Sequence, residues 1–335
     1  MKRKGSEPTI SQVAALAGVS IATVSRVLND PSKVRPATVE KASAAIDTLA
    51  YPRPQPAVDL RNRLIVAVLP NLDNPFYSKI IKGIQVSAKG HGLEVLLYAE
   101  GNVDAHSRRL LDMLGMIQAR GLIILSPVNR LDVLNDLAAA LTLVQCAEYK
   151  YNEESTLPYV GVDDFAAARN ATETLIRRGH RRIALINGPD RYKYARHRYL
   201  GYADALRRAG LAVDSALVAN VTEMGFDSSL AVARQMLLAS ERPDAILATS
   251  DMYASAVVKA VTSEGIRIPD DLALIGFDNT YISQMSHPSV AAVSLPRFQL
   301  GYMACEVLSE RIMNPASDEP RHFLLETELV LRDSV

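Results

Sequence analysis

The sequence predicts a chain of two parts: an all-α helix-turn-helix head, then an α/β body of two doubly wound subdomains, each with a parallel sheet. Three observations predict this. Apolar residues recur at helical spacing in roughly the first 50 positions. From Leu64 onward, short β-branched runs alternate with longer amphipathic stretches. Finally, 335 residues suffice for two or more domains of roughly 150 residues each.

The first two helices of the head have clear start and stop signals. Thr9 and Gln12 have the spacing of a capping box, in which a hydroxyl and an amide satisfy each other's backbone N–H groups. Gly18 ends this helix, and Ser20 begins a second one over 21–28 that an Asn-Asp-Pro sequence ends. Two short helices joined by a turn that contains glycine predict a helix-turn-helix.

A third helix over 36–49 completes the head, with proline at its first position. The charge of this region differs from that of the whole chain. Lys+Arg and Asp+Glu are equal at 37 each, yet residues 1–63 carry ten basic and five acidic side chains. A head of +5 on a body of −5 indicates binding to a polyanion, which the net charge of zero conceals.

The run ISQVAALAGVSIATVSRVLNDPSKV, followed by the third helix and Tyr51, closely resembles the DNA-binding head of the LacI/GalR family of bacterial repressors. The resemblance implies that the second helix enters the major groove and that Ile21, Ala22 and Arg26 contact base edges. Arg26 has the strongest physical warrant, because a guanidinium can bond two acceptors of guanine. Ile21 and Ala22 offer only apolar contacts, such as with a thymine methyl.

The remaining DNA contacts implied by the resemblance go to phosphates, which position the head without reading sequence. The chain departs from the family at Arg35, where Ser or Thr usually stands, and at Val39, where Arg often stands. One phosphate contact is lost at Val39, and Arg35 adds one nearby. The full set of expected DNA-binding residues is Ser20, Ile21, Ala22, Thr23, Ser25, Arg26, Asn29, Arg35 and Leu60.

The segment 52–63 is expected to be a linker. The family places a short hinge helix here whose leucine enters the minor groove, and Leu60 has the corresponding spacing from Tyr51. Prolines at 52, 54 and 56 disfavour that helix, and Asp59 adds a negative charge. A wedge role for Leu60 and a merely exposed linker residue are therefore equally compatible with the sequence.

The body is predicted as two series of parallel strands, each strand followed by a helix. The first series has strands RLIVAVL, LEVLLYA, GLIILS and LTLVQC, with helices near 76–91, 105–119 and 130–140. The second has strands YVGVD, RIALING, AILATS and LALIGFD, with helices near 165–178, 196–209 and 252–264.

Such a body resembles the periplasmic sugar-binding proteins, whose fold the LacI/GalR family shares. The resemblance implies three crossings between subdomains, near 160–163, 291–296 and 320–323. The expected domains are a helix-turn-helix at 1–51, the linker at 52–63 and an effector-binding and dimerisation domain at 64–335. Within the last, the N-subdomain covers about 64–160 and 296–320, and the C-subdomain about 161–291 and 321–335.

Ligands of such sheets bind at the carboxyl ends of the strands, in the crevice between the subdomains. By resemblance, Arg198 and Asp278 contact a hydroxylated ligand, although a salt bridge closing the cleft is the alternative. Phe76 and Tyr77 could stack on a ring. The expected effector-binding residues are Asn74, Phe76, Tyr77, Ser126, Glu148, Arg198, Phe226, Asp251 and Asp278, and a structural role is at least as plausible for Ser126, Glu148, Phe226 and Asp251.

The runs NPFYSKIIKGIQVSAKGHGLEVLL and LPRFQLGYMACEVL look most like the cytidine-repressor branch of the family, which suggests a nucleoside effector. Sugars and sugar acids are equally natural for the broader family. The sequence therefore leaves nucleoside, sugar and sugar acid open.

We expect a sequence-specific DNA-binding regulator, a repressor of a catabolic or uptake operon, controlled by this small hydroxylated effector. It would be a cytoplasmic, nucleoid-associated bacterial protein that binds near-palindromic double-stranded operator DNA as a homodimer. The dimer surface is expected at the helices near 76–90 and 105–119. No leucine heptad follows the last strand, which favours a dimer over a tetramer. The alternative is a sugar-binding protein or a sugar-handling enzyme of doubly wound fold, which leaves the head unexplained.

Enzymatic chemistry has little support. The sequence contains no HExxH, GxGxxG, GxxxxGK[ST] or GxSxG motif, and its six histidines are scattered. Cys146 and Cys305 are most simply small buried hydrophobes. We therefore expect no catalytic residue, cofactor or metal. No apolar run reaches the ~18 residues of a membrane span, so no membrane association is expected.

Overall fold

The computed structural model describes residues 8–52, 63–149, 157–315 and 322–335. By its internal contacts the chain divides into two units, residues 1–60 and 61–335. The division falls inside the expected linker. Most of that linker, 53–62, lies outside the described residues, and so does the predicted wedge residue Leu60.

Residues 8–52 of the head form three helices and one 3-10 turn: α1 (Ile10–Ala17), α2 (Ile21–Asn29), the 3-10 turn Pro31–Lys33 and α3 (Pro36–Thr48). The predicted helices are confirmed, and the 3-10 turn was not predicted. α1 and α2 are bent by 103° to each other, within the range of a helix-turn-helix.

The signals read from the sequence form the expected hydrogen bonds. Thr9 N donates to Gln12 Oε1 at 2.8 Å while Gln12 N donates back to Thr9 Oγ1 at 3.4 Å, which completes the capping box. Gly18 adopts φ +67°, a left-handed conformation that lets the chain leave α1 without strain. Thr23 N donates to Ser20 Oγ at 3.1 Å and caps α2.

One small core holds the three helices together. Its buried members come from all three helices, and further apolar residues pack around them. The buried residues of α2, Val24 and Val27, lie on one side of the helix, so the side that carries Ile21, Ala22 and Arg26 is not needed for packing. The buried members are Val13, Ala14, Val24, Ala45 and Ile46.

The described residues of the body form two six-stranded sheets and the helices that pack on them. Its strands are β1 (Leu64–Leu69), β2 (Glu94–Ala99), β3 (Gly121–Ile124), β4 (Thr142–Cys146), β5 (Tyr159–Val162), β6 (Ile183–Asn187), β7 (Val218–Asn220), β8 (Ala245–Ala248), β9 (Ala273–Asp278), β10 (Ala291–Ser294), β11 (His322–Leu325) and β12 (Glu328–Val330). The helices are α4 (Phe76–Gly90), α5 (Val103–Met116), α6 (Leu131–Ala140), α7 (Asp164–Arg177), α8 (Lys193–Arg208), α9 (Phe226–Leu237), α10 (Asp251–Ser263), α11 (Tyr281–Met285) and α12 (Arg297–Met313).

The first sheet has the order β11-β5-β4-β3-β1-β2, and the second has the order β12-β10-β9-β8-β6-β7. Every pairing is parallel except that of β10 with β12. The central strands β1, β3, β6 and β8 are buried almost throughout, as expected for strands covered by helices on both faces. The predicted doubly wound architecture is confirmed.

The chain passes between the sheets three times: after Val162, between Ser294 and Arg297, and after Leu325. The first two crossings lie where they were expected. The third comes later than 320–323, because β11 pairs with β5 in the first sheet, with Phe323 opposite Val160. The expected start of the last C-subdomain segment at 321 is therefore wrong: residues 322–325 belong to the first sheet.

α4 and α12 pack in direct backbone contact on the first sheet. A Cβ on Gly301 would lie 2.0 Å from the carbonyl oxygen of Ile80, and a Cβ on Gly83 would lie 2.1 Å from that of Phe298. Only glycine permits so close an approach at these two positions. The two helices therefore form one closely joined pair.

Several elements of the second half were not predicted, among them β7, α9 and α11. Two helices also begin earlier than expected, α5 at Val103 and α8 at Lys193. Within the described residues, no single helix has the length and apolar character needed to cross a membrane.

Candidate functional site

A cavity lies in the body between the two sheets, at the carboxyl ends of their strands. The space between its lining atoms amounts to about 630 Å³, open solvent at the mouth included. It is lined by Asn74, Phe76, Tyr77, Leu125, Ala147, Glu148, Val162, Asp164, Tyr194, Arg198, Met224, Thr249, Ser250, Met252, Tyr253, Asp278, Leu295 and Leu300.

The topology brings these side chains together. Leu125 follows β3 and Glu148 follows β4 in the first sheet, while Thr249 follows β8 and Asp278 ends β9 in the second. Parallel strands end at the same edge of a sheet, so residues distant in sequence meet there. Leu295 lies on the second crossing and contributes from the hinge side.

Six of the nine expected effector-binding residues line the cavity: Asn74, Phe76, Tyr77, Glu148, Arg198 and Asp278. The other three do not. Ser126 is buried and donates its hydroxyl to the Glu100 carbonyl oxygen at 2.8 Å. Phe226 is the first residue of α9 and not the end of a strand. Asp251 is buried behind the lining, where it accepts the Thr280 backbone N–H.

Sequence reasoning missed the lining residues on helix starts and in loops, such as Asp164, Tyr194 and Met224. Asp164 directly follows the strand run YVGVD, and that position could have identified it. The start of α8 was placed after Tyr194, so this tyrosine lay outside any recognised element. Met224 lies in an irregular loop for which periodicity gives no signal.

Asp164 is the centre of a buried charge network. Lys193 Nζ lies 2.7 Å from Asp164 Oδ2, and Arg198 Nη2 lies 2.8 Å from Asp164 Oδ1. The Arg198 Nε also donates to Asp164 Oδ1, at 2.9 Å. Burial acts to raise the pKa of the Asp164 carboxyl, but the charges of Lys193 and Arg198 outweigh burial and leave this pKa below its ordinary value.

The Arg198 guanidinium is bonded by the protein itself at all three of its nitrogens. Besides Asp164, it donates from Nη1 to the Thr249 carbonyl oxygen at 2.7 Å and lies 4.0 Å from the Phe277 ring centroid. Asp278 Oδ1 is 4.0 Å away, at the limit of an ion pair. Asp164 and Arg198 lie on α7 and α8 of the same subdomain, so this salt bridge does not close the cleft between subdomains.

Glu148 contacts the opposite subdomain. Its Oε2 accepts the backbone N–H of Lys193 at 2.8 Å and its Oε1 that of Tyr194 at 3.1 Å, so it caps the start of α8 from across the cleft. The local N-cap residue of α8, Tyr192, supplies no side-chain bond. Burial raises the pKa of the Glu148 carboxyl to about 7, although the Lys193 charge opposes this shift.

Asp278 presents a second carboxyl to the cavity. Its φ is +90°, a strained value for a residue with a Cβ, and its Oδ2 accepts the Ser250 hydroxyl at 3.1 Å. Burial raises the pKa of Asp278 despite the opposing charges of Arg198 and Arg297. Burial also raises the pKa of Asp251 to about 7, and the charge of Asp278 adds to that shift.

Aromatic rings provide much of the remaining lining. Phe76 meets Tyr77 edge to face, with centroids 5.1 Å apart and planes at 78°. Tyr194 and Tyr253 line the cavity from the other subdomain. A ligand with a flat apolar surface can therefore be held from both sides, while the carboxyl of Asp278 accepts hydrogen bonds from its polar edge.

The head presents a second candidate site on α2. Ile21 is 51% exposed, and Ala22, Arg26 and Ser20 are also exposed. Thr23 and Ser25 are half-buried. In the free head, the hydroxyls of Ser20 and Thr23 bond each other at 2.8 Å.

The other two described residues expected to contact DNA are also exposed. Asn29 donates its side-chain amide to the Ser25 carbonyl oxygen at 2.9 Å, which occupies one of its donors. Arg35 precedes α3 as its N-cap and makes no side-chain capping bond. Its guanidinium is therefore not needed to begin that helix.

Two family models match the chain. Residues 9–54 match the model described as bacterial regulatory proteins, lacI family. Residues 62–332 match the model described as periplasmic binding proteins and sugar binding domain of LacI family. Together the two matches cover the head and nearly all of the body.

Curated relatives align over almost the full length. The HTH-type transcriptional repressor CytR of Escherichia coli strain K12 is 31% identical over 336 residues, which covers 99% of this chain and 98% of that protein. The HTH-type transcriptional regulator CelR of Thermobifida fusca is 33% identical and covers 98% of both. Among solved structures, a transcriptional regulator CelR–cellobiose complex superposes with a TM-score of 0.75 at 32% identity, over 98% of this chain and all of that one.

Proposed function

The chain belongs to the LacI family of bacterial DNA-binding transcriptional regulators, and from this premise we propose how its two sites act together. The head binds operator DNA, and a small hydroxylated effector in the body cavity changes the affinity of the head for that DNA. The observation that carries the proposal is the cavity between the sheets, lined by six residues that the sequence had already singled out for an effector.

In the head, α2 lies in the major groove with Arg26, Ile21 and Ala22 towards the base edges. Support comes from their exposure on a helix whose opposite face is occupied by the buried Val24 and Val27. The phosphates are contacted by Ser20, Thr23, Ser25, Asn29 and Arg35. The net positive charge of the head adds an attraction to the DNA backbone that does not depend on sequence. In the linker, the side chain of Leu60 enters the minor groove of the operator.

In the body, the effector is a nucleoside, sugar or sugar acid. The solved relative with cellobiose supports a hydroxylated ligand for this fold. Binding shifts the equilibrium between open and closed clefts only if the ligand has a higher affinity for one of them. A ligand that contacts lining residues of both subdomains at once, such as Phe76 and Asp278, would have that preference for the closed cleft. The bonds of Glu148 to the start of α8 join the same two subdomains and add to the stability of the closed cleft.

We propose that the protein is a homodimer whose two heads bind the half-sites of a near-palindromic operator. The sequence suggested helices near 76–90 and 105–119 as the dimer surface. In sequence, β2 lies between these two helices, and it is the edge strand of the first sheet. Its Leu96 and Leu97 are 39% and 38% exposed. Exposed apolar residues on an edge strand favour a covered surface.

We propose that the protein represses the genes of a catabolic or uptake operon. It would act in the bacterial cytoplasm, bound to the nucleoid. The relatives of the chain are transcriptional regulators, and we propose that it has no enzymatic activity. A sugar-binding protein or sugar-handling enzyme is the second candidate; the match of residues 9–54 to a DNA-binding head disfavours it. Among the described residues, no group of three or more His, Cys, Asp or Glu side chains is placed to hold a metal ion.

The test begins with selection of an operator from random double-stranded DNA by the full-length protein. We expect enrichment of a sequence with two-fold symmetry. A panel of nucleosides, sugars and sugar acids is then added to the protein–operator complex, and the change in Kd is measured. Absence of any enriched sequence would contradict the DNA-binding part of the proposal.

The cavity is tested with Asp278→Asn, which removes the charge of one lining carboxyl and keeps its size. We expect this variant to bind operator as the wild type does and to lose the response to effector. Asp227→Asn is the matched control, because Asp227 is exposed at the start of α9 and does not line the cavity. If the effector response survives Asp278→Asn unchanged, the cavity assignment is wrong.

A further inference from the structure

The cavity contains three groups that could bind an anionic ligand. These are the backbone N–H groups at the start of α8, the ammonium of Lys193 behind the lining and the guanidinium of Arg198 within it. Helix starts and arginines are the usual receptors of carboxylates and phosphates in proteins. Whether the site accepts an anion therefore depends on whether any of the three is available.

The start of α8 is occupied by a carboxylate of the protein itself. Glu148 accepts the N–H groups of Lys193 and Tyr194 at 2.8 and 3.1 Å. These are the first two N–H groups of α8, the ones a bound anion would use. An incoming carboxylate would have to displace Glu148 and then lie beside it.

The two side-chain cations are occupied as well. Asp164 contacts Lys193 Nζ at 2.7 Å and Arg198 Nη2 at 2.8 Å. Lys193 Nζ also lies 3.9 Å from the Tyr149 ring centroid, and Arg198 donates to the Thr249 carbonyl oxygen. Both cations are only 4% exposed, so either one that turned to a ligand would leave the buried Asp164 with one of its two charge partners missing.

The described lining residues carry an excess of negative charge. Three carboxyl groups, those of Glu148, Asp164 and Asp278, line the cavity together with one guanidinium, that of Arg198. Asp278 is the carboxyl that still has acceptor capacity, since its Oδ2 accepts the Ser250 hydroxyl while its Oδ1 lies 4.0 Å from Arg198 Nη1, beyond hydrogen-bond distance. The cavity therefore offers an acceptor to hydroxyl or N–H donors, while the start of α8 and the cations Lys193 and Arg198 already have carboxylate partners from the protein.

We infer that the effector is uncharged in the part that enters the cavity, presents hydroxyl or N–H donors to Asp278, and lies with an apolar face against Phe76 and Tyr194. The inference rests on the proposed function, in which this cavity is the effector site. It narrows the effector class to neutral sugars and nucleosides and excludes sugar acids, sugar phosphates and nucleotides.

The first arm of the test compares matched pairs on full-length protein at constant ionic strength. The probes are glucose with glucuronate and glucose 6-phosphate, cellobiose with cellobiouronate, and adenosine and uridine with their 5′-monophosphates, so that each pair keeps its rings and differs in charge. Binding is measured by thermal shift and calorimetry. We expect every ligand that binds to be a neutral member, with its anionic partner about tenfold weaker or more. An anionic member that binds as tightly as its neutral partner overturns the inference.

The second arm needs no identified effector. Glu148→Ala frees the N–H groups at the start of α8, and inorganic phosphate is the probe. We expect phosphate to stabilise Glu148→Ala against unfolding more than it stabilises the wild type, with Glu148→Gln between them. Glu264→Ala is the control, because Glu264 is exposed at the end of α10. If phosphate stabilises the wild type and Glu148→Ala equally, Glu148 does not occupy an anion position and the inference is wrong.

Failure of the proposed function would look different from failure of this inference. If the proposed function fails, the full-length protein selects no operator, or the response to a bound ligand is unaffected by Asp278→Asn. An anionic effector that binds the cavity and acts on DNA would overturn the inference and leave the proposed function intact.

Discussion

Glu148 Oε2 accepts the backbone N–H of Lys193 at 2.8 Å, a bond that joins the loop after β4 of the first sheet to the first turn of α8 beside the second sheet. The Lys193 side chain turns from the same point to Asp164, 2.7 Å away. The ammonium of Lys193 thus pairs with the carboxylate of Asp164, which lies just after the first crossing. The backbone N–H of Lys193 bonds the carboxylate of Glu148 from the first subdomain. This pairing makes the closed cleft sensitive to the charge state of Glu148.

The first prediction concerns pH. Burial raises the pKa of Glu148 from 4.5 to about 7, so the folded state binds its proton more tightly than the unfolded state does. The stability from this protonation is complete below about pH 4.5 and is lost as pH rises through about 7. Glu148→Gln does not titrate, so its Tm should rise relative to that of the wild type between pH 5 and 8, by a stability difference of at most about 3 kcal/mol.

The measurement is thermal unfolding of both proteins at half-unit steps of pH. Glu264→Gln serves as the control, because this exposed side chain should leave the pH profile as it is in the wild type. A Tm difference between Glu148→Gln and wild type that stays constant over the whole range would show that Glu148 has no raised pKa.

The second prediction concerns Arg198. Arg198→Met removes one of the two cations from buried Asp164 and should lower the free energy of unfolding by about 3–5 kcal/mol. Arg208→Met is the control on the same helix: its guanidinium is 63% exposed and pairs with Asp204, so the loss should be below about 1 kcal/mol. Urea unfolding of both variants measures the difference. Equal losses would mean that the Asp164 network adds no stability beyond that of a surface pair.

The third prediction concerns the contact of α4 with α12. Gly301→Ala places a Cβ 2.0 Å from the Ile80 carbonyl oxygen, so the helices must separate, and we expect a loss of about 3 kcal/mol. Gly115→Ala in α5 meets nothing within 4 Å and should raise stability by up to about 1 kcal/mol through helix propensity. Opposite signs in chemical denaturation are the expected result; a neutral Gly301→Ala would contradict the close contact.

The fourth prediction concerns Arg26. Arg26→Ala should cost about 1–3 kcal/mol of affinity for the selected operator and relax the preference at one base pair of each half-site. Arg207→Ala removes the same charge from an exposed position in the body and should leave binding unchanged. Titrations of operators substituted one base pair at a time distinguish the two roles of Arg26, since a uniform loss on all sequences would mean that it contacts only phosphate.

Much of the fold follows from local signals in the sequence. The capping box at Thr9, the end of the first helix at Gly18 and the alternation of buried strands with amphipathic helices depend on neighbouring residues, and all are confirmed. The position of β11 could not be predicted in this way. Its four residues are alternately exposed and half-buried, and their assignment to the first sheet depends on pairing with β5, far away in the chain.

The cavity shows the same limit. A residue at the end of a strand is recognisable, and this rule found Glu148 and Asp278. It also selected Ser126 and Asp251, whose side chains bond the protein interior, because the rule says nothing about side-chain direction. The ion pair of Arg198 with Asp164 could not be predicted either, because it depends on the packing of α7 against α8. Only the folded chain shows which polar groups are already satisfied.

The three crossings between the sheets limit how the two subdomains can move. A single connection would permit twisting in any direction, whereas this chain has three connections, after Val162, at 295–296 and after Leu325. Three strands of backbone side by side resist twisting, so we expect opening and closing to be the easiest motion. The free energy of ligand binding would then act mainly on the opening and closing of the cleft. Under the proposed function, an effector in the cavity would therefore change the angle between the subdomains and would twist them little.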